Sequence, residues 1–273
     1  MTDIEIIQQM EKILRIPLVK LEPGAIEKRA TTYSDIKRGY AMDDTGVVTG
    51  LRLEGLYIKP VLELLSRLHG INRLHLESCW LKQSDIHFLQ HRENLAFLNI
   101  SINKGIHDFS FLRELKGLTS VDLRWNKLTD VSFLQELKGL TSVDLRMNKL
   151  TDVSVLRELK GLTSVDLRMN KLTDVSVLRE LKGLTSVNLR FNKVTDLSFV
   201  SDLDHLTHLN IEGNPIKNPP PKIAKQGLKA IQDYFRSLKN CPEKKPNEDK
   251  ILLVGDGVAG KTSLIKRLIS KYL

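Results

Sequence analysis

The chain lacks most of what would mark it as a secreted, membrane-spanning or metal-dependent protein. Its 273 residues include only two cysteines. Cys79 and Cys241 lie far apart in different segments, so no disulfide framework is expected and a reduced, cytoplasmic setting is. No stretch approaches the roughly 18 consecutive apolar residues of a membrane span. The N-terminus, MTDIEIIQQMEKILRIP, mixes acids with its apolar residues and has no basic segment ahead of an apolar run, which argues against a secretory signal. His69, His75, His87, His91 and His107 show no metal-ligand spacing and read as surface or packing residues. A strong charge of one sign is missing too. The net charge is +9, but residues 215–273 carry 13 basic and 5 acidic side chains, while the 214 residues before them carry 29 and 28. A nearly neutral body offers no footprint for a phosphate backbone, so neither nucleic acid nor membrane is expected as a partner.

What the chain has instead is repetition. The segment LTSVDLRMNKLTDVSVLRELKG occurs twice in succession, at Leu140–Gly161 and Leu162–Gly183. Related units begin at Val48, Ile71, Leu95, Leu118, Leu184 and Leu206, 22 to 24 residues apart. Such a unit cannot bury its apolar face alone; stacked units share a continuous core. Three and five positions after each start come apolar residues, as in Val121 and Leu123 or Val143 and Leu145. Position eight is Asn103, Asn126, Asn148, Asn170, Asn192 and Asn214. The alternation predicts a short strand with one buried face, and the inward Asn should bond backbone groups left unpaired at the bend. Leu56 and Cys79 stand at this place in the first two units, where the Asn ladder should be imperfect. Asp130, Asp152, Asp174 and Asp196 are placed to cap a short helical turn on the outer side. This is the LxxLxLxxN pattern of leucine-rich repeats, and it resembles the short bacterial class found in internalins.

The predicted fold is therefore an α/β repeat solenoid: a leucine-rich repeat horseshoe of about eight 22–24-residue coils with a parallel sheet on its concave face. Residues 1–47 form an N-terminal cap, with a helix over 3–14 (apolar Ile6, Ile7, Met10, Ile13 and Leu14, stopped by Pro17) and a hairpin around Asp43-Asp44-Thr45-Gly46. The solenoid runs over 48–221 and ends at Pro219-Pro220-Pro221. Residues 222–240 predict one helix with Ala224, Leu228, Ile231, Phe235 and Leu238 on one face, capping the last coil and bridging to the C-terminal segment. A charged linker occupies 241–249.

On the concave face three columns emerge. Asp122, Asp144 and Asp166 continue as Asn188 and Asn210. Arg124, Arg146, Arg168 and Arg190 form the second column, and Trp125, Met147, Met169 and Phe191 the third. Trp, Phe, Met and Arg are enriched at interface centres, so these residues are candidates for docking a protein partner. The columns also admit a plainer reading, in which Asp and Arg neutralise each other and the apolar column shields the strand ends.

Residues 250–273 begin KILLVGDGVAGKTS, an apolar run followed by GxxxxGK[ST] and a helical apolar spacing. This is a P-loop in the strand–loop–helix context that the motif requires. Glycines let backbone N–H groups curl around phosphates, Lys261 reaches the β/γ-phosphates and Thr262 offers an oxygen to Mg²⁺. One strand and one helix cannot complete a doubly wound sheet, so the unit is read as truncated.

Taken together, the repeat array, the NPI…NPPP closure, the AIQDYF bridge and KILLVGDGVAGKTSL resemble the N-terminal part of bacterial Roco proteins, in which a Ras-like Roc GTPase domain and a dimerising COR domain come after the repeats. The resemblance implies that Gly255, Asp256, Gly257, Val258, Ala259, Gly260, Lys261, Thr262 and Ser263 would contact the phosphates of GTP or GDP, with Thr262 on Mg²⁺. It implies a GTPase, but the remaining GTPase motifs are absent from these residues. The chain alone is therefore expected to be inactive, not to bind nucleotide, and to be monomeric without COR. The expectation is the protein-interaction arm of a Roco-type signalling protein. The alternative is a stand-alone repeat scaffold with a vestigial P-loop.

Overall fold

In a computed structural model of the chain, residues 1–28 and 38–240 are described. The linker 241–249, the P-loop unit 250–273 and Cys241 lie outside the described residues.

Helix α1 spans Asp3–Leu14. The Thr2 hydroxyl accepts the Glu5 N–H at 3.3 Å and the Glu5 carboxylate accepts the Thr2 N–H at 2.7 Å, a reciprocal capping box. The helix ends through Arg15 in the left-handed conformation, ahead of Pro17. Ile6, Ile7 and Met10 are buried in the core, whereas Ile13, expected on the same face, is exposed.

The strands are β1 (Val19–Lys20), β2 (Gly39–Met42), β3 (Val48–Arg52), β4 (Arg73–His75), β5 (Phe97–Asn99), β6 (Ser120–Asp122), β7 (Ser142–Asp144), β8 (Ser164–Asp166), β9 (Ser186–Asn188) and β10 (His208–Asn210). They form one sheet in sequence order. Strands β2 and β3 are the antiparallel hairpin; β3 to β10 run parallel. The free edge of β3 is therefore taken by β2, with β1 added in parallel beyond it, and α1 seals the apolar interior rather than the edge. Asp3 links the two by accepting the Val48 N–H at 2.8 Å.

Strands β6 to β9 each put one residue inward, Val121, Val143, Val165 and Val187, and the following leucine (Leu123, Leu145, Leu167, Leu189) is buried behind it. From the third unit onward an Asn ladder closes the turns. Asn148 Nδ2 donates to Leu123 O at 3.1 Å and Leu145 O at 2.9 Å, while its Oδ1 accepts N–H groups of Asn126 at 3.1 Å and Leu128 at 2.9 Å. One side chain thus satisfies four buried backbone groups in two coils. Cys79 fills the corresponding place in the second unit, its thiol donating to Leu53 O at 3.0 Å. Burial pushes that thiol up to about 12, so it stays protonated.

On the outer side the repeats make 3₁₀ turns, such as Ser132–Glu136 and Ser154–Glu158. The preceding aspartates do not sit at the cap itself. They stand one residue earlier, where Asp130 and Asp152 accept the N–H two residues on, from Ser132 at 3.0 Å and Ser154 at 2.7 Å. Lysines join neighbouring turns, with Lys138 to Glu158 at 2.8 Å and Lys160 to Glu180 at 3.0 Å. The first unit also holds a true helix, α2 (Leu62–Arg67), and the carbonyls of Leu65 and Leu68 near its end accept from buried Arg92.

The single helix expected over 222–240 is two: α3 (Pro221–Ala224) and α4 (Leu228–Asn240). Gly227, at φ +94°, makes the break, a conformation that costs glycine little and other residues more. Ile231 and Phe235 are buried as expected, and Leu238 is exposed.

Because Asn148 closes four backbone groups at about 1–3 kcal/mol apiece if orphaned, Asn148→Leu should destabilise the solenoid by at least about 3 kcal/mol and lower Tm by about 5–10 °C. Lys138→Ala, which removes one exposed pair, should stay within about 0.5 kcal/mol. Thermal unfolding followed by circular dichroism checks both.

Candidate interaction face

Two positions of every unit project from the strand face, four and six residues after its start, and their charges change sign along the sheet. The first column reads Arg52, His75, Asn99, Asp122, Asp144, Asp166, Asn188, Asn210. The second reads Glu54, Glu77, Ser101, Arg124, Arg146, Arg168, Arg190, Glu212. The first two units pair a base with an acid two residues on; the fourth to sixth do the reverse. Extending the columns backwards from Asp122 and Arg124 would have shown this in the sequence.

The reversal closes into a buried ionic network. Arg52 pairs with Glu54 within the first unit. His75 Nε2 faces Glu54 at 3.6 Å and Glu77 at 3.4 Å, and its Nδ1 lies 3.0 Å from Ile26 O. Arg124 reaches back past the small, buried Ser101 to Glu77 and also holds Asp122 at 3.0 Å. Glu54, His75 and Glu77 bring three ligand-type atoms together although their sequence spacing gave no sign of it. Both carboxylates are already engaged by guanidinium groups, so the cluster compensates its own charge. Burial alone would raise the Glu77 carboxyl, but the hydrogen bond from His75 and the charge of Arg124 outweigh it and hold it at about 2.

Arg124 is 2% exposed and Arg146 6%, with Arg146 on Asp144 at 2.5 Å. Among the candidate docking residues these two arginines and the half-buried Asp122, Asp144 and Asp166 are therefore committed to the sheet itself. Arg168 and Arg190 stand further out, at 30% and 36% side-chain exposure. Strand register stacks Asp122, Asp144 and Asp166 directly against one another. Burial first, and then the neighbouring Asp144 carboxyl, push Asp122 up to about 7 despite Arg124. Asp144 is raised as well, by burial and by Asp166.

The third column differs. Trp125, Met169 and Phe191 are 41%, 43% and 46% exposed, with Met147 between them half-buried. All four adopt left-handed backbone, φ 55° to 59°, as do Ser78 and Ile102 at the same place in earlier units. Only the first and last units use glycine there, Gly55 and Gly213. Left-handed backbone costs a non-glycine residue roughly 1–2 kcal/mol. The chain thus holds bulky apolar side chains in solvent at positions whose backbone favours glycine. At the end of the row Phe191 lies under the Arg190 guanidinium, 4.5 Å from the ring centroid. A Cβ on Gly213 would come within 2.3 Å of the same ring, so glycine there leaves the phenyl its space.

A family profile described as Leucine Rich repeat matches residues 118–132 and 204–219. The fold is a leucine-rich repeat solenoid. Its structural neighbours are internalin-like. An internalin (inlF) from Listeria monocytogenes shares 27% identity at TM-score 0.55, covering 65% of this chain and 53% of that one. Internalin C2 from the same organism shares 22% at TM-score 0.61, covering 81% and 91%. A repeat protein of Leptospira interrogans, LIC12759, shares 24% at TM-score 0.53, covering 62% and 43%. The chain thus spans about half the length of inlF and less of the Leptospira protein. No protein with a curated description matches it. No helix among the described residues is long and apolar enough to cross a membrane.

The raised Asp122 carboxyl makes stability depend on pH. The folded state holds that proton more tightly than the unfolded chain, so from about pH 4 to pH 7 stability falls as pH rises. Asp122→Asn should shrink the drop in Tm between pH 5 and pH 8. A larger drop in the variant would mean that the Asp122–Arg124 attraction outweighs burial and the stacked carboxylates.

Proposed function

We propose that this solenoid is a protein-interaction module whose docking surface is the row Trp125, Met147, Met169 and Phe191, with Arg168 and Arg190 beside it. Leucine-rich repeat folds commonly serve protein partners, and the row supplies the specific reason here. Four apolar side chains are kept partly in water on strained backbone, a combination that folding alone does not reward. Asp122, Asp144, Arg124 and Arg146 support the row by fixing strand register and contribute little direct contact.

The row can be tested without disturbing the fold by placing asparagine, which tolerates left-handed backbone, at Trp125, Met147, Met169 and Phe191. Selection of a displayed random-peptide library on the full chain should yield ligands whose affinity falls at least tenfold on this variant, while its Tm changes by less than about 3 °C. Ligands that bind the variant unchanged would move the docking surface elsewhere.

A finer reading rests on the sequence. We infer that the module serves a Roco-type GTP-binding protein, with Gly255–Ser263 contributing phosphate contacts and Thr262 a Mg²⁺ ligand. The motif supports this together with the NPI…NPPP closure and the AIQDYF bridge. The 273 residues by themselves should show no saturable, Mg²⁺-dependent guanine-nucleotide binding below about 1 mM. The DNA beyond the codon for Leu273 should encode, in some frame, a Walker-B aspartate and a guanine-recognition motif. Submillimolar binding would contradict the first expectation, and the absence of both motifs would contradict the Roco link.

A further inference from the structure

Beside the apolar row runs a second column that the docking surface just proposed does not use. Two residues after Ile102, Trp125, Met147, Met169 and Phe191 come Lys104, Lys127, Lys149, Lys171 and Lys193, one per unit and all exposed. The intervening asparagine turns inward, so the apolar and basic columns stand side by side on the rim. Backbone bonds keep the lysines in line: the N–H groups of Lys149, Lys171 and Lys193 donate to Leu128, Leu150 and Leu172 of the preceding unit at 2.7–2.8 Å.

These lysines differ from those of the outer turns in one respect. Lys116, Lys138 and Lys160 each meet a glutamate of the next unit at 2.8–3.3 Å. None of the five rim lysines forms an ion pair among the described residues. The nearest acids along the chain, Asp130, Asp152, Asp174 and Asp196, instead turn to the N–H groups of Ser132, Ser154, Ser176 and Ser198 at 2.7–3.0 Å. The apolar row is thus flanked by uncompensated ammonium groups on one side and by Arg168 and Arg190 on the other.

Resting on the reading of the row as a docking surface, we propose that its occupant is an acidic amphipathic helix of a protein partner. Charge complementarity sets the sign: an apolar stripe edged with Asp or Glu matches a row edged with lysine. Spacing sets the conformation. Successive units repeat at about 4.8 Å, an α-helix presents a given face about every 5.4 Å, and an extended strand about every 6.7 Å. Over the three intervals from Trp125 to Phe191 a helix drifts out of register by about 2 Å and a strand by about 6 Å. A helix of about twelve residues covers the row with one apolar anchor per unit. A single-stranded nucleic acid is the less suitable polyanion, because the Asp122, Asp144 and Asp166 column lies on the inner side of the row and the body is nearly neutral.

The library ligands provide the test. They are sequenced, synthesised with a fluorophore, and titrated by anisotropy on the wild-type chain. The same titrations are run on the asparagine variant of the apolar row and on Lys127→Glu/Lys149→Glu/Lys171→Glu/Lys193→Glu, with circular dichroism of each protein as a fold control. The expected ligands carry a net negative charge with apolar residues at i, i+3/i+4 and i+7. They should lose more than tenfold in affinity on the glutamate variant, and regain it when their own acids are changed to lysine. Ligands without acidic excess, or unaffected by the glutamate variant while lost on the asparagine variant, would overturn the acidic-helix occupant and leave apolar docking standing. Ligands indifferent to both variants would overturn both. A single-stranded oligonucleotide that binds more tightly than the peptides would also overturn the proposal.

Discussion

From the third unit onward the solenoid depends on the side-chain amide of one asparagine per unit. At the bend after each strand the chain turns outward, and the turn leaves carbonyl and N–H groups of two adjacent units facing the interior with no partner. The amide matches both kinds of group and lies at their junction, as Asn170 does between Leu145 O at 3.0 Å, Leu167 O at 2.9 Å and the Leu150 N–H at 3.1 Å. Cooperation between neighbouring units is therefore electrostatic and directional as well as hydrophobic. It also explains how the residue before each asparagine can be Trp, Met or Phe in left-handed backbone: flanking bonds such as that of the Met169 N–H to Arg190 O at 2.8 Å over-determine the bend.

Register fixed in this way places like side chains one above another, and the sheet deals with the result differently at its two ends. The early units join base and acid through His75, Glu54 and Glu77, and Arg124 ties that cluster to the later units across Ser101. The later units stack three carboxylates and surround them with arginines. Both arrangements spend their charges internally. What remains free along the rim is apolar and basic, and these are the side chains that folding does not consume.

Much of the fold was legible because its signals are local and repeated. The period located the strands, Asn at position eight located the bends, and the spacing of apolar residues behind Thr2 and Asp3 located α1. Less visible features depended on contacts between units. Glu77 lies two residues from His75, but Glu54 belongs to the preceding unit, and only the stacking of units brings both carboxylates onto the imidazole. The left-handed backbone at Trp125 and Met147 is concealed by residues that rarely adopt it, although Gly55 and Gly213 at the equivalent place hinted at the requirement. The break at Gly227 was readable from the glycine itself, but the apolar spacing on either side masked it. Strand β1, two residues long, has no periodicity to read. For the docking face, the columns were recognisable, but their division into buried Arg124 and Arg146 and exposed Trp125, Met169 and Phe191 required the third dimension.

The rim row is thus a proposed recognition surface held out by an inward-facing scaffold, and hydroxyl-radical footprinting of the full chain, free and saturated with a ligand selected on it, is the decisive measurement. Oxidation of Trp125, Met147, Met169 and Phe191 should fall on binding, with Val155 and Val177 of the outer turns unchanged. Protection of the outer turns with the rim row still fully reactive would contradict it.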